Sequence, residues 1–179
     1  MGEGAYERRL PGLPGCGEIS VRLYEMQIEV FELAAPDRSE WEPLARAYKA
    51  FYRTELPDSA YESTWQRLLL RNGIRGLGAR IDGRLVGITH FLFHTGIWSP
   101  RACYLEDLFV EHTARGRGVA RALISAVAED ARVEGAGRLY WLTHETNSTA
   151  RVLYDKVAAS SGFVEYEYPL FAEQRGSPP

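Results

Sequence analysis

The chain has 179 residues, 45% of them hydrophobic and 25% charged, with a net charge of −3. That is enough sequence for one globular domain, and its apolar content is too high for a disordered chain. No run approaches the ~20 apolar residues that cross a bilayer, no Lys/Arg block supplies the charge density a nucleic-acid backbone requires, and Cys16 and Cys103 are too few for a disulfide framework.

Residues 1–25 are rich in Gly and Pro, lack the apolar core of a secretory signal, and read as an extension ahead of a domain over residues 26–172. Residues 173–179 read as a frayed tail. A cytoplasmic protein with neither nucleic acid nor membrane as partner is the expectation. Within the domain, IEVFEL (28–33) has the β-branched and aromatic content of a strand. Asp37 or Ser39 can cap a helix through WEPLARAYKAFY, where Leu44, Ala47, Tyr48 and Phe51 recur at helical spacing. A second helix is predicted over Ser59 to Leu70. Three strands follow, at 76–81, 85–94 and 102–110, with Asp82-Gly83 as a two-residue hairpin turn between the first pair. The period then changes to 3.6, with Val119, Leu123, Ala126 and Val127 forming one apolar stripe. A strand at 139–142, a helix at 148–159 and a last strand at 163–171 complete the pattern. Antiparallel strands followed by strand–helix–strand–helix–strand predict a mixed sheet with helices on its faces.

The most informative stretch is Val110-Glu-His-Thr-Ala-Arg115-Gly116-Arg117-Gly118-Val119-Ala120. A strand ends, the chain turns, and two glycines open an amphipathic helix. Glycine lets backbone N–H groups approach a ligand closely, and a helix N-terminus offers unpaired donors and a positive dipole end. Arg115 and Arg117 add charge, so the loop suits a pyrophosphate. No Gly-Lys-[Ser/Thr] follows, which excludes a nucleotide P-loop, and Arg121 stands where a dinucleotide fingerprint needs a third small residue. By itself the loop also fits a plain helix start.

The run Arg-Gly-Arg-Gly-Val-Ala (115–120) resembles the Arg/Gln-x-x-Gly-x-Gly/Ala motif of the GNAT acetyltransferases. The resemblance extends over roughly residues 27–171. Upstream, Tyr104-Leu-Glu-Asp-Leu-Phe-Val110 is similar to the fourth strand of the branch that contains diamine acetyltransferases and histone-acetyltransferase-like relatives. Downstream, Asn147-Ser-Thr-Ala150-Arg-Val-Leu153-Tyr154 and Gly162-Phe163 resemble the family's last helix and closing strand. One departure stands out: Ala158 to Ser161 lengthen the segment before Gly162. The resemblance implies an α/β (α+β) fold with a mixed central sheet of six to seven strands flanked by about four helices.

It also implies acetyl-CoA as cosubstrate and no metal. Backbone groups of Arg115, Gly116, Arg117, Gly118, Val119 and Ala120 would hold the pyrophosphate. Leu108, Phe109 and Val110 would lie along the pantetheine arm and near the thioester oxygen, and Asn147 and Tyr154 along the other edge of the slot. The acceptor would be a small polyamine-like compound or an amino acid, and the enzyme a homodimer. A protein or peptide acceptor, or a non-catalytic CoA-sensing domain, are the alternatives. An amine is mostly protonated at neutral pH, so a base is needed. Glu106 is the candidate: plain strand alternation sets it on one sheet face with Leu108 and Val110, and Asp107 on the other, as a structural group or a helper in amine binding. Tyr154 can return a proton to the leaving thiolate. Asn147 and Tyr154 lie seven residues apart and share a helix face, although a capping Asn and a packed Tyr would look the same.

His90 and His94 share a strand face, and His144-Glu145 lacks a second histidine at Ser148, so neither pair makes a convincing metal motif. The chain carries no Gly-x-Ser-x-Gly elbow of a serine hydrolase. Trp65 or Trp98, with Tyr52 and Tyr61, are candidates to line an amine pocket through cation–π contact.

Overall fold

Asp82 and Gly83 reverse the chain with φ of 51° and 78°, the pair of positive values a type I′ hairpin turn demands. That turn joins β2 (Ile74–Ile81) to β3 (Arg84–His94) in the computed structural model, which describes residues 27–98 and 101–170. The predicted N-terminal extension and the tail beyond residue 170 lie outside the described residues.

β1 (Ile28–Glu32) pairs antiparallel with β2, β3 pairs antiparallel with β4 (Ala102–Val110), and β5 (Leu139–Tyr140) lies parallel to β4. The result is a mixed five-stranded sheet in the order β1-β2-β3-β4-β5. Four α-helices accompany it: α1 (Arg38–Phe51), α2 (Asp58–Leu70), α3 (Val119–Val133) and α4 (Ser148–Val157). Among the described residues the sheet has five strands, not the six to seven expected. Residues 163–170, read from sequence as the closing strand, form none, because their backbone finds no sheet edge; Phe163, Val164, Tyr166, Tyr168 and Leu170 are all exposed. Apolar alternation fits a side chain to a pleated face but does not supply the neighbouring strand.

The sheet separates two apolar clusters. On one face α3 buries Val119, Leu123, Val127 and Ala131 against Val86, Phe91, Cys103 and Leu105. On the other, α1 and α2 bring Trp41, Leu44, Tyr61 and Trp65 against Leu85 and Ile88. The start of α1 is pinned to the sheet by charge. Asp37 accepts from the Ala34 N–H (2.8 Å) and pairs with Arg80 (2.8 Å), while Glu40 pairs with Arg80 (2.9 Å) and accepts from the Leu85 N–H (3.0 Å). Asp37 thus occupies the N-cap position expected of it, although its carboxylate holds the preceding turn rather than a helix N–H.

Candidate active site

β4 is the strand on which the site is built, and two irregularities give it its shape. The first is a bulge. His90 pairs with Asp107 and Phe91 with Leu105, leaving Glu106 as the extra residue. The bulge resets the alternation: Cys103, Leu105, Leu108 and Val110 pack towards α3, while Asp107 reaches α1 residues. Glu106 is exposed at the bulge, so the plain alternation that grouped it with Leu108 and Val110 does not describe this strand.

The second irregularity is the parting of β4 and β5. Their pairing consists of Cys103 with Leu139 and Tyr104 with Tyr140. Beyond Tyr104, β4 continues to Val110 while the chain after Tyr140 leaves the sheet. The Glu111 N–H donates to the Val86 carbonyl (2.9 Å). In an antiparallel ladder every second residue turns its backbone groups to the same neighbour. Phe109 therefore also faces β3, and Leu108 and Val110 turn their peptide groups towards the gap. The Val110 carbonyl is met there by Arg115 Nε at 3.1 Å.

Into this gap opens a cavity of about 840 Å³. It runs from the glycine loop, past Leu108, Phe109 and Val110, to Tyr48 and Phe51 of α1 and Tyr52 just beyond it on one side, and to α4 on the other. The loop turns on its two glycines straight into a helix, as its sequence suggested. Gly116 and Gly118 have φ of 74° and 90°, which side-chain-bearing residues rarely adopt, and α3 begins directly after Gly118. Its first-turn N–H groups have no partner within the helix and point, with the positive end of the helix dipole, out of the sheet. Arg115, Gly116, Gly118, Val119 and Ala120 line the cavity. Arg115 also closes the loop through its bond to Val110. Glu106 and Arg117 are not among the described residues that line it.

Across the gap, Asn147 is the N-cap of α4. Its side chain accepts from the Ala150 N–H (3.4 Å) and donates to Thr143 Oγ1 (3.2 Å). Tyr154 stands two turns later on the same helix, edge-on to Trp141 at 5.4 Å between ring centres. Burial, and then the neighbouring Tyr52, push its phenol above the ordinary value, so it carries its proton at neutral pH. Both Asn147 and Tyr154 line the cavity.

Residues 41–159, about two thirds of the chain, match a protein-family model described as the acetyltransferase (GNAT) family. The chain belongs to the GNAT acetyltransferase family. A relative from Saccharomyces cerevisiae, the D-amino-acid N-acetyltransferase HPA3, is 31% identical over 146 residues, 79% of this chain and 90% of the relative. The thialysine N-epsilon-acetyltransferase of Mus musculus is 26% identical over 158 residues, 86% of each chain. Among solved structures, the aminoglycoside N-acetyltransferase AAC(6')-Iy in complex with CoA superposes with a TM-score of 0.67 at 21% identity, covering 84% of this chain and 97% of that one. The protein is thus a GNAT N-acetyltransferase with the family's α/β fold.

Some candidate residues of this GNAT enzyme sit elsewhere than sequence reasoning put them. Trp65 and Tyr61 are buried in the α1–α2 cluster, with Trp65 4.9 Å from Trp41, and Trp98 is exposed. Of the four aromatics offered for an amine pocket, Tyr52 is the one that lines the cavity. Tyr48 was read only as a member of an apolar stripe, yet it lines the cavity too, and burial and then the Asp107 charge push its phenol up. His90 was weighed only as a metal ligand. It is instead buried between Trp41 and Asp107, with Trp41 Nε1 donating to His90 Nε2 (2.9 Å) and His90 Nδ1 2.8 Å from Asp107 Oδ2. Burial pushes the Asp107 carboxyl up, but the hydrogen bond and charge of His90, with smaller contributions from Tyr48 and Lys49, outweigh it and hold it below its usual value.

Proposed function

We propose that this GNAT enzyme moves an acetyl group from acetyl-CoA directly to the primary amine of a small molecule, polyamine-like or an amino acid. The observation that carries the reading is the backbone edge of Leu108 and Val110, paired with no strand among the described residues, which faces a cavity with a helix N-terminus at one end and a protonated phenol at the other. The residues present fit the cosubstrate. The N–H groups of the turn at Gly116 and Gly118 and of the first turn of α3 would hold its pyrophosphate. The peptide groups of Leu108 and Val110 would pair with its amide-bearing arm as they would with an added strand. Acetyl-CoA supplies an acetyl group already activated as a thioester.

The protein's own groups do the rest. A Val110 N–H turned to the gap can donate where negative charge develops on the acyl oxygen. Tyr154 is protonated and donates to the departing sulfur. Glu106, exposed on the bulge, draws a proton from the acceptor ammonium through water. The acceptor enters from the α1 side, where Tyr48, Phe51 and Tyr52 face the cavity. A small amine as acceptor is supported by the acceptors named for the yeast and mouse relatives. A homodimer is part of the proposal, supported by the five apolar side chains that residues 163–170 leave in solvent.

Thiol release from acetyl-CoA across a panel of polyamines, amino acids, thialysine and lysine peptides tests this reading. Cys103 adds no background, because it is buried and its thiol is pushed up to about 11 by burial. Release with a small amine is the expected outcome. Release with peptides alone, or with none of the panel, overturns the small-amine assignment. Tyr154→Phe should lower kcat by about 100-fold while the KM for acetyl-CoA stays within a few-fold, the mark of a group that acts in the transition state.

A further inference from the structure

Where the cavity reaches α1 its wall is aromatic. Tyr48 and Phe51 come from α1, Tyr52 from the residue just beyond it, and Phe109 from β4, and all four line the cavity. They form one connected set. Tyr48 and Tyr52 meet edge-on with ring centres 5.2 Å apart, Phe51 and Tyr52 at 5.0 Å, and Tyr48 and Phe109 at 6.3 Å. Phe51 and Tyr52 belong to neither core cluster and are 54% and 47% exposed. Large apolar rings gathered at a cavity wall and left open to solvent mark a surface for contact.

Charge separates this wall from the rest of the cavity. Among the described residues that line the cavity there is no Asp or Glu. Its basic members, Arg115, Arg121, His144 and Lys156, belong to the glycine loop, to α3, and to α4 with the turn before it, and none stands on the α1 side. Asp107 does not line the cavity, and its carboxylate is already matched by His90 Nδ1 at 2.8 Å and Lys49 Nζ at 4.0 Å. Lys49 Nζ also lies over the Tyr48 ring, 4.9 Å from its centre, so an ammonium brought to this wall meets a like charge. A polyamine keeps its remaining amines protonated at neutral pH, and taking such a charge out of water with no carboxylate to receive it is costly. An amine with a flat apolar body has the opposite balance. It covers Phe51 and Tyr52, and its ring can extend the edge-on set.

We propose that the acceptor is a monoamine carrying an aromatic group, an arylalkylamine or an aromatic amino acid, whose ring seats against Tyr48, Phe51 and Tyr52. The proposal rests on the acetyl-transfer reading above and narrows its acceptor. Phe51 and Tyr52 determine specificity and take no part in the chemistry. They select by two means at once, since the rings reward an apolar body and the missing carboxylate penalises a second ammonium.

Calorimetry on the full chain, with CoA present and without it, reads acceptor binding independently of turnover. Phenethylamine should bind about 30-fold more tightly than propylamine, the scale of one aromatic group taken from water, and putrescine no more tightly than propylamine. Putrescine binding as tightly as phenethylamine, or more tightly, overturns the proposal. Phe51→Ala and Tyr52→Ala change half-exposed rings outside the core, and each should shrink the advantage of phenethylamine over propylamine about fivefold, the scale of a lost ring pair. An advantage unchanged in both variants places the aromatic contact elsewhere and overturns the proposal as well. If either variant does not fold, the wild-type order of the three amines still decides. Thiol release from acetyl-CoA separates the two readings. Phenethylamine bound in the expected order, with no thiol released by any amine, fails the acetyl-transfer reading and leaves the aromatic site standing. Thiol release with putrescine and none with phenethylamine upholds transfer and overturns the aromatic acceptor.

Discussion

β4 and α3 on one side of the cavity, and α4 on the other, contribute comparably to the site but are anchored very differently. α3 sends Val119, Leu123, Ile124, Val127 and Ala131 into the core, whereas α4 has no buried residue. α4 holds on through Leu153, Tyr154 and Val157, which are partly buried against the larger core, and through the Tyr154–Trp141 contact. Burial of apolar surface is the main stabilising term in a fold, so the wall carrying the glycine loop should be far stiffer than the wall carrying Tyr154. In the proposed roles, a binding loop benefits from preorganised N–H groups, and a phenol that follows a departing sulfur benefits from some freedom. The contrast matches the two tasks.

Paired truncations are the harshest way to break that comparison. Leu123 is fully buried, and Leu123→Ala should cost about 3 kcal/mol of unfolding free energy, within the range for buried leucines. Leu153→Ala, at a partly buried site, should cost about 1 kcal/mol. Urea denaturation reads both, and equal costs would show that α4 is as firmly seated as α3. The next largest effect falls on the stiff wall's function. Gly118→Glu forces a side chain into a φ of 90° and sets a carboxylate at the anion site, so CoA affinity measured by calorimetry should fall by about 100-fold. Affinity within a few-fold of wild type would remove the loop from cofactor binding.

The same contrast separates what the sequence made legible from what it did not. α3 and its glycines announced themselves because helical period, apolar stripe and loop chemistry are all local. The hairpin at Asp82-Gly83 was readable for the same reason. The bulge at Glu106 was not, since it depends on how His90 and Phe91 on another strand are paired; Asp107 faces α1, opposite Leu108 and Val110, as alternation placed it, and Glu106 is the residue the bulge displaces. Nor could spacing show that Trp41, His90 and Asp107, separated by 49 and 17 residues, are consecutive links of one chain. The closing strand failed for a third reason. Residues 163–170 carry the alternation of a strand, but a strand also requires an edge to pair with.

That unpaired stretch gives the gentlest test of the comparison. Val164, Tyr166, Tyr168 and Leu170 alternate with Glu165, Glu167 and Pro169, so one face of an extended segment would be apolar, and all four are exposed. Several large apolar side chains left together in solvent mark a contact surface. A chain ending at Gly162 removes them without touching either cluster of the core, so its thermal midpoint, measured at low protein concentration, should stay within about 3 °C of the full chain, a change of about 1 kcal/mol or less. Its mass by light scattering should nevertheless drop from dimer to monomer. A dimer that survives the truncation would place the contact elsewhere on the surface. A large fall in the midpoint would mean that this stretch supports α4 within its own chain, and the weakly anchored wall would then owe part of its position to the last residues of the domain.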